Sequence, residues 1–159
     1  MTDEWKEESG ERKVEKCRGE LCSPAGCFSF ELPTLDSPPN ELSPLNLAYI
    51  GDAVFELYVR SRLISSRESV NKLHKKAKDI VSAEAQAKMY YLIIDLLTDE
   101  ELAVIKRGRN AKSVTVAKNA SISDYRHATG LETLFGYLFL KGEHERLSEL
   151  FDRCLGVNP

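Results

Sequence analysis

The chain has 159 residues, 42% of them hydrophobic. That suits one domain with a core of ordinary size, and no apolar run approaches the roughly 20 residues of a membrane span. The net charge of −3 says little about partners because it is unevenly spread: residues 1–43 hold ten acids and five bases, the remainder fifteen acids and seventeen bases.

The first segment, 1–42, reads as an extension with no core of its own. It is charged early and then rich in proline, through "CSPAGC" and "LPTLDSPPNELSP". Its start, "MTDEWKEESGERKVEKCRGE", has no apolar stretch and is acidic, so neither a secretory signal nor a transit peptide is expected. Reduced cysteines and a cytoplasmic setting follow as expectations. Cys17, Cys22 and Cys27 are spaced by four residues each, without a Cys-x2-Cys knuckle or an obvious fourth ligand for zinc.

From Ser43 the periodicity is helical. Ser43 is a candidate N-cap with Pro44 at the first helical position, and this helix is expected to run to about Leu63. "SVNKLHKKAKDIV" places Val70, Leu73, Ala77, Ile80 and Val81 at helical spacing, with lysines opposite. Ser82 caps a third helix, "SAEAQAKMYYLIIDLL". Thr98 and an acidic first turn open a fourth, "TDEELAVIKRGRN". "SISDYRHATGLETLFGYLFLKG" is a second long apolar helix closed by Gly142, and "EHERLSELFDRCLG" is the last. No run alternates like a strand. The reading is an all-α domain of about six helices over 43–155, with 156–159 as a tail.

Two residues in the first helix run against their surroundings. A helical glycine costs roughly 1 kcal/mol relative to alanine, and a carboxylate away from water costs more unless a cation sits beside it. "LAYIGDAVFELYVRSRLI" sets Gly51 and Asp52 side by side in an apolar helix. The second long helix repeats the oddity: Glu132 lies among Leu131, Leu134 and Phe135, with Gly130 and Thr133 close by. Small residues let two helices approach closely. If these helices cross there, the two acids converge, and a divalent cation between them would relieve their repulsion. Pattern alone equally allows each acid to face water, an arginine or a helix end.

Thr129, one turn before Glu132, would then face a cation-bound water or bond back to its own helix. Glu56 is read as an i, i+4 partner of Arg60. Asp124, eight residues before Glu132, lies too far along the axis to share its site.

Between Ile105 and Arg126 six bases stand against one acid, Asp124. The segment "IKRGRNAKSVTVAKNAS" combines Lys106, Arg107, Arg109, Lys112 and Lys118 with Asn110, and it lacks interleaved aromatics. That composition suits contacts to a duplex backbone better than stacking on single-stranded bases. A solvated loop is the plainer alternative. The histidines form no cluster, and Cys154 reads as a core residue.

"LAYIGDAVFELYVR" resembles the signature helix of ribonuclease III domains, and "ATGLETLFGYLFL" resembles the second acidic motif of that family. With "KRGRNAKS" and no appended double-stranded-RNA-binding domain, residues from Ser43 to Leu155 look like the Mini-ribonuclease III branch. The resemblance implies a ribonuclease III endonuclease-domain fold, dimeric, that cleaves double-stranded RNA with Mg²⁺, for which Mn²⁺ can substitute. It implies maturation of precursor large-subunit (23S) ribosomal RNA, leaving 5′-phosphate and 3′-hydroxyl ends. Carried over by motif, Asp52 and Glu132 are the catalytic and metal-binding residues. The composition of the basic segment makes Lys106, Arg107, Arg109, Asn110, Lys112 and Lys118 the expected RNA-binding set. The wider family's upstream glutamates fall here at Leu45 and Ala48, and an aspartate at Thr129, so the site is poorer in carboxylates. The rival expectation is a domain that binds RNA or a ribosomal partner without cutting.

Overall fold

A computed structural model describes residues 35–64, 67–112 and 121–156. Within them the regular elements are α1 (Pro44–Leu63), α2 (Val70–Ile80), α3 (Ala83–Ile93), a 3-10 turn (Ile94–Leu96), α4 (Asp99–Arg109), α5 (Ile122–Lys141) and α6 (His144–Cys154). The fold is the all-α arrangement expected, and its boundaries follow local chemistry. The hydroxyls of Ser43, Ser82, Thr98 and Ser121 each accept from a backbone N–H three residues on. At Thr98 the Glu101 carboxylate also accepts from the Thr98 N–H, completing a capping box. Gly142 ends α5 at φ +80°, a left-handed conformation that a side chain would strain. The extension expected over 1–42 falls largely on 1–34, which lie outside the described residues with Cys17, Cys22 and Cys27.

Helix α5 is the centre of the domain. Ala128 to Leu131 and Thr133 to Leu138 are all buried, so it presents no polar face over those turns. Helices α1, α3 and α4 wrap it. Phe55 of α1, Phe135 of α5 and Phe151 of α6 meet edge to face, with centroids 5.5–6.3 Å apart. Each such ring stabilises the fold by roughly 1.5–3 kcal/mol through burial alone. Cys154 joins this core, and its burial pushes the thiol up to about 12, away from thiolate chemistry.

A carboxylate pins α6 to the start of α4. Glu101 is buried, yet Arg146 donates to both its oxygens at 2.8 and 3.0 Å. Burial raises the Glu101 carboxyl, but the guanidinium and the Thr98 N–H overcome this and hold it below its usual value. Arg146 also donates to the Leu96 carbonyl and to Glu149. Among the described residues, no helix is long and apolar enough to cross a membrane.

Candidate active site

The α1/α5 crossing is a contact of backbone on backbone. A methyl group built on Gly51 would lie 1.7 Å from the carbonyl oxygen of Glu132. One on Gly136 would lie 2.0 Å from the carbonyl oxygen of Leu47. Neither glycine can gain a side chain without parting the helices. The glycine beside Asp52 thus sets α1 directly on the residue that carries the second carboxylate. On the other flank of α5, Gly108 and Gly130 bring α4 close, though less so, with the Thr133 side chain packed against Gly108.

At this crossing Asp52 is exposed and Glu132 half-buried. Desolvation first, and the charge of Asp52 second, push the Glu132 carboxyl up to about 8. A hydrogen bond from Gln86 pulls the other way. Desolvation and then the Glu56 charge raise the Asp52 carboxyl. No lysine or arginine offsets the charge of either acid, and among the described residues no ion pair involves them. Two acids that repel one another, one of them desolvated, form a donor set suited to a divalent cation. The described residues contain no group of three or more His, Cys, Asp or Glu side chains that would enclose a metal. The protein therefore offers two carboxylates, which suits Mg²⁺, an ion that keeps several waters and binds few protein oxygens.

Neighbouring side chains take other roles. Glu56 pairs with Arg60 one turn on. The Thr129 hydroxyl donates back to the Tyr125 carbonyl at 3.0 Å and is buried. Gln86 of α3 carries no signature that motif reading would find. Its one sequence signal is a polar amide on the stripe Gln86, Tyr90, Ile93, otherwise the buried face of α3.

The basic residues divide by what they touch. Lys106 and Lys112 are exposed. Arg107 donates to the carbonyls of Asn40 and Leu42, at 2.8 and 3.3 Å, and so ties the segment before α1 to α4. Arg109 reaches Tyr90 and Asn110, and Asn110 is the C-cap of α4. Lys118 lies outside the described residues. Arg109 and Asn110 line one recess with Ser123, Arg126 and His127 from the start of α5. His127 donates from Nδ1 to the Ser123 carbonyl at 2.7 Å, so in the neutral ring Nε2 accepts from the Tyr91 hydroxyl at 3.0 Å. Arg126 and His127 extend the basic face beyond the run at the end of α4.

The fold has clear relatives. The family model described as Ribonuclease III domain matches residues 45–143. Mini-ribonuclease 3 of Clostridium tetani is 54% identical over 119 residues, covering 74% of this chain and 79% of that protein. Mini-ribonuclease 3 of Brevibacillus brevis is 48% identical over 124 residues, covering 77% and 92%. A crystal structure of a Fusobacterium nucleatum protein superposes with a TM-score of 0.68 at 30% identity, covering 73% of this chain and 94% of that one. With a family match across more than half its length and relatives this similar, the chain belongs to the ribonuclease III domain family, among its Mini-ribonuclease 3 members.

Proposed function

We propose that this chain, an endoribonuclease acting on double-stranded RNA by its family, hydrolyses phosphodiesters with Mg²⁺ held by Asp52 and Glu132. The observation that carries the reading is the pair of uncompensated carboxylates at the α1/α5 crossing, one of them desolvated and raised by the charge of the other. Mg²⁺, when bound, would lower the pKa of the attacking water and offset charge growing on the phosphate. Asp52, on the exposed side, would meet the cation from solvent. Glu132, with its backbone locked against Gly51, would present its carboxylate at a fixed distance. Mn²⁺ offers the same oxygen preference and would substitute.

The RNA-binding residues we assign are Lys106, Arg109, Asn110 and Lys112, joined by Arg126 and His127 across the recess, with Lys118 in the segment outside the described residues. Arg107 completes the basic set, and its bonds to the Asn40 and Leu42 carbonyls would orient it. Binding through phosphates should weaken steeply with salt. A homodimer is supported by Leu45, Tyr49 and Leu57, which leave an apolar stripe on α1 with Tyr49 80% and Leu57 63% exposed. The substrate we infer is precursor large-subunit ribosomal RNA in the cytoplasm.

The test is cleavage of an end-labelled RNA duplex with Mg²⁺. Asp52→Asn and Glu132→Gln should bind the duplex yet cut it on the order of 10³-fold more slowly, and EDTA should stop the wild type. Cleavage by either variant at the wild-type rate overturns the assigned roles. Binding by the wild type without any cleavage would leave an RNA-binding module. Precursor 23S RNA left untrimmed by a protein that cuts a simple duplex would remove the ribosomal substrate alone.

A further inference from the structure

The basic run that ends α4 has no aromatic residue of its own, and the fold supplies one from another helix. Tyr91 of α3 is 61% exposed. Its hydroxyl lies 3.0 Å from Nε2 of His127, and His127 lines the basic recess with Arg109, Asn110, Ser123 and Arg126. The Tyr91 and His127 rings have centroids 4.9 Å apart and planes tilted by 41°. Tyr90 meets both rings edge on, at 5.4 and 4.7 Å, and its hydroxyl accepts from Arg109 at 3.4 Å. The exposed ring therefore stands at the rim of a cationic recess, held there by its hydroxyl and by two other rings.

A tethered tyrosine has little freedom left to lose when something lies against it. What lies there is set by the neighbouring chemistry. Guanidinium groups take phosphate, and a flat exposed ring takes the face of a base. Bases paired in an A-form duplex keep their faces stacked inside the helix, so an unpaired nucleotide is the ligand that offers both. Among the described residues lining the recess, Ile122 alone is apolar, which suits a nucleotide better than an apolar protein surface. Resting on the RNA-binding reading above, we propose that Tyr91 and this recess form a site for one unpaired nucleotide of a structured RNA. Its base stacks on the Tyr91 ring, and its phosphate meets Arg126 and Arg109. His127 stands five residues before Glu132, about 7.5 Å along α5 at 1.5 Å per residue. The nucleotide would thus flank the bond that is cut, and the protein would favour stems that carry a bulge there.

The test uses the full chain in EDTA, so that it reads binding and is independent of the cation site. The probes are two RNA duplexes of equal length, one fully paired and one carrying a single bulged 2-aminopurine. The wild type should bind the bulged duplex about 10-fold more tightly than the paired one and should quench the 2-aminopurine fluorescence. Tyr91→Leu should bring that affinity ratio to about 1 and restore the fluorescence. Tyr91→Phe, which keeps the ring and loses the hydroxyl, should retain most of both. Equal affinity of the wild type for the two duplexes, an unquenched base in the bound complex, or a ratio preserved in Tyr91→Leu would each overturn the site. No preference for the bulge, together with a Tyr91→Leu variant that sediments as a smaller species than the wild type, would assign the ring to a contact between copies of the chain instead. Failure of the wild type to bind either duplex at low salt would sink the RNA-binding reading itself, and this inference with it.

Discussion

Two carboxylates reach into this domain, and they are treated in opposite ways. Glu101, where α4 meets α6, accepts two hydrogen bonds from Arg146 and one from a backbone N–H. Glu132, where α1 crosses α5, has another acid for company and no ion pair among the described residues. The first is held below its usual pKa and the second is pushed up to about 8. A protein able to neutralise a buried acid with a guanidinium in one place leaves another acid unneutralised in the next. The contrast separates an acid that holds helices together from the one proposed above to hold a cation.

The sharpest way to break the comparison is to close the space at the second site. Gly51→Ala places a methyl 1.7 Å from a helix carbonyl that cannot swing aside. It should cost roughly 3–4 kcal/mol, above the usual range for overpacking because both partners are backbone. Urea melts would read the loss, and a cost below about 1 kcal/mol would mean that α1 and α5 are not in such close contact.

Arg146→Met strips the first site of its cation and leaves Glu101 buried and unpaired. The expected loss is about 3 kcal/mol, the low end for a broken buried pair because the Arg146 side chain is 24% exposed. Adding Glu101→Gln should recover part of it, and a double-mutant cycle measures how much.

The pH dependence of the metal-free protein sharpens the contrast. The Glu132 carboxyl titrates near 4.5 when unperturbed and near 8 in the fold. Between those values the unfolded chain has lost a proton that the folded chain retains. The contribution of this group is therefore complete below about pH 4.5 and is lost as pH rises through 8. Allowing for water on the Asp52 side, the fall should be about 2 kcal/mol between pH 5 and pH 8.5. Glu132→Gln should flatten it, and saturating Mg²⁺ should offset it in the wild type. An identical slope in the variant would show that some other group carries the effect. The smallest change is Thr98→Ala, which removes half the capping box around Glu101 and should cost about 1 kcal/mol in thermal melts.

Helix ends were legible in the sequence because their causes are local. Ser43, Ser82 and Thr98 cap within three residues of themselves, and Gly142 is the one described residue able to end α5 in a left-handed turn without strain. The α1/α5 crossing was partly legible, since glycine beside an acid in an apolar helix is a pattern with few structural excuses. The rest depends on long-range packing. Arg107 joins the bases as a phosphate ligand when the chain is read in order, and only the fold brings the carbonyls of Asn40 and Leu42 to it. Gln86 lies 46 residues from Glu132 in a helix whose pattern marks it only as a polar residue out of place. Arg146 reads as one charge in a charged helix until α6 folds against Glu101.

The burial of α5 on all sides leaves its own trace in mutational tolerance. In a saturation scan, α6 should show a rhythm of sensitive and permissive positions, since Leu147, Leu150, Phe151 and Cys154 form one stripe. Along α5, from Ala128 to Leu138, that rhythm should vanish, because ten of eleven positions are enclosed and no direction is open to a larger or charged side chain. The helix bearing Glu132 would register as an unbroken block of intolerance, that acid indistinguishable by sensitivity from its structural neighbours unless folding and cleavage are scored apart.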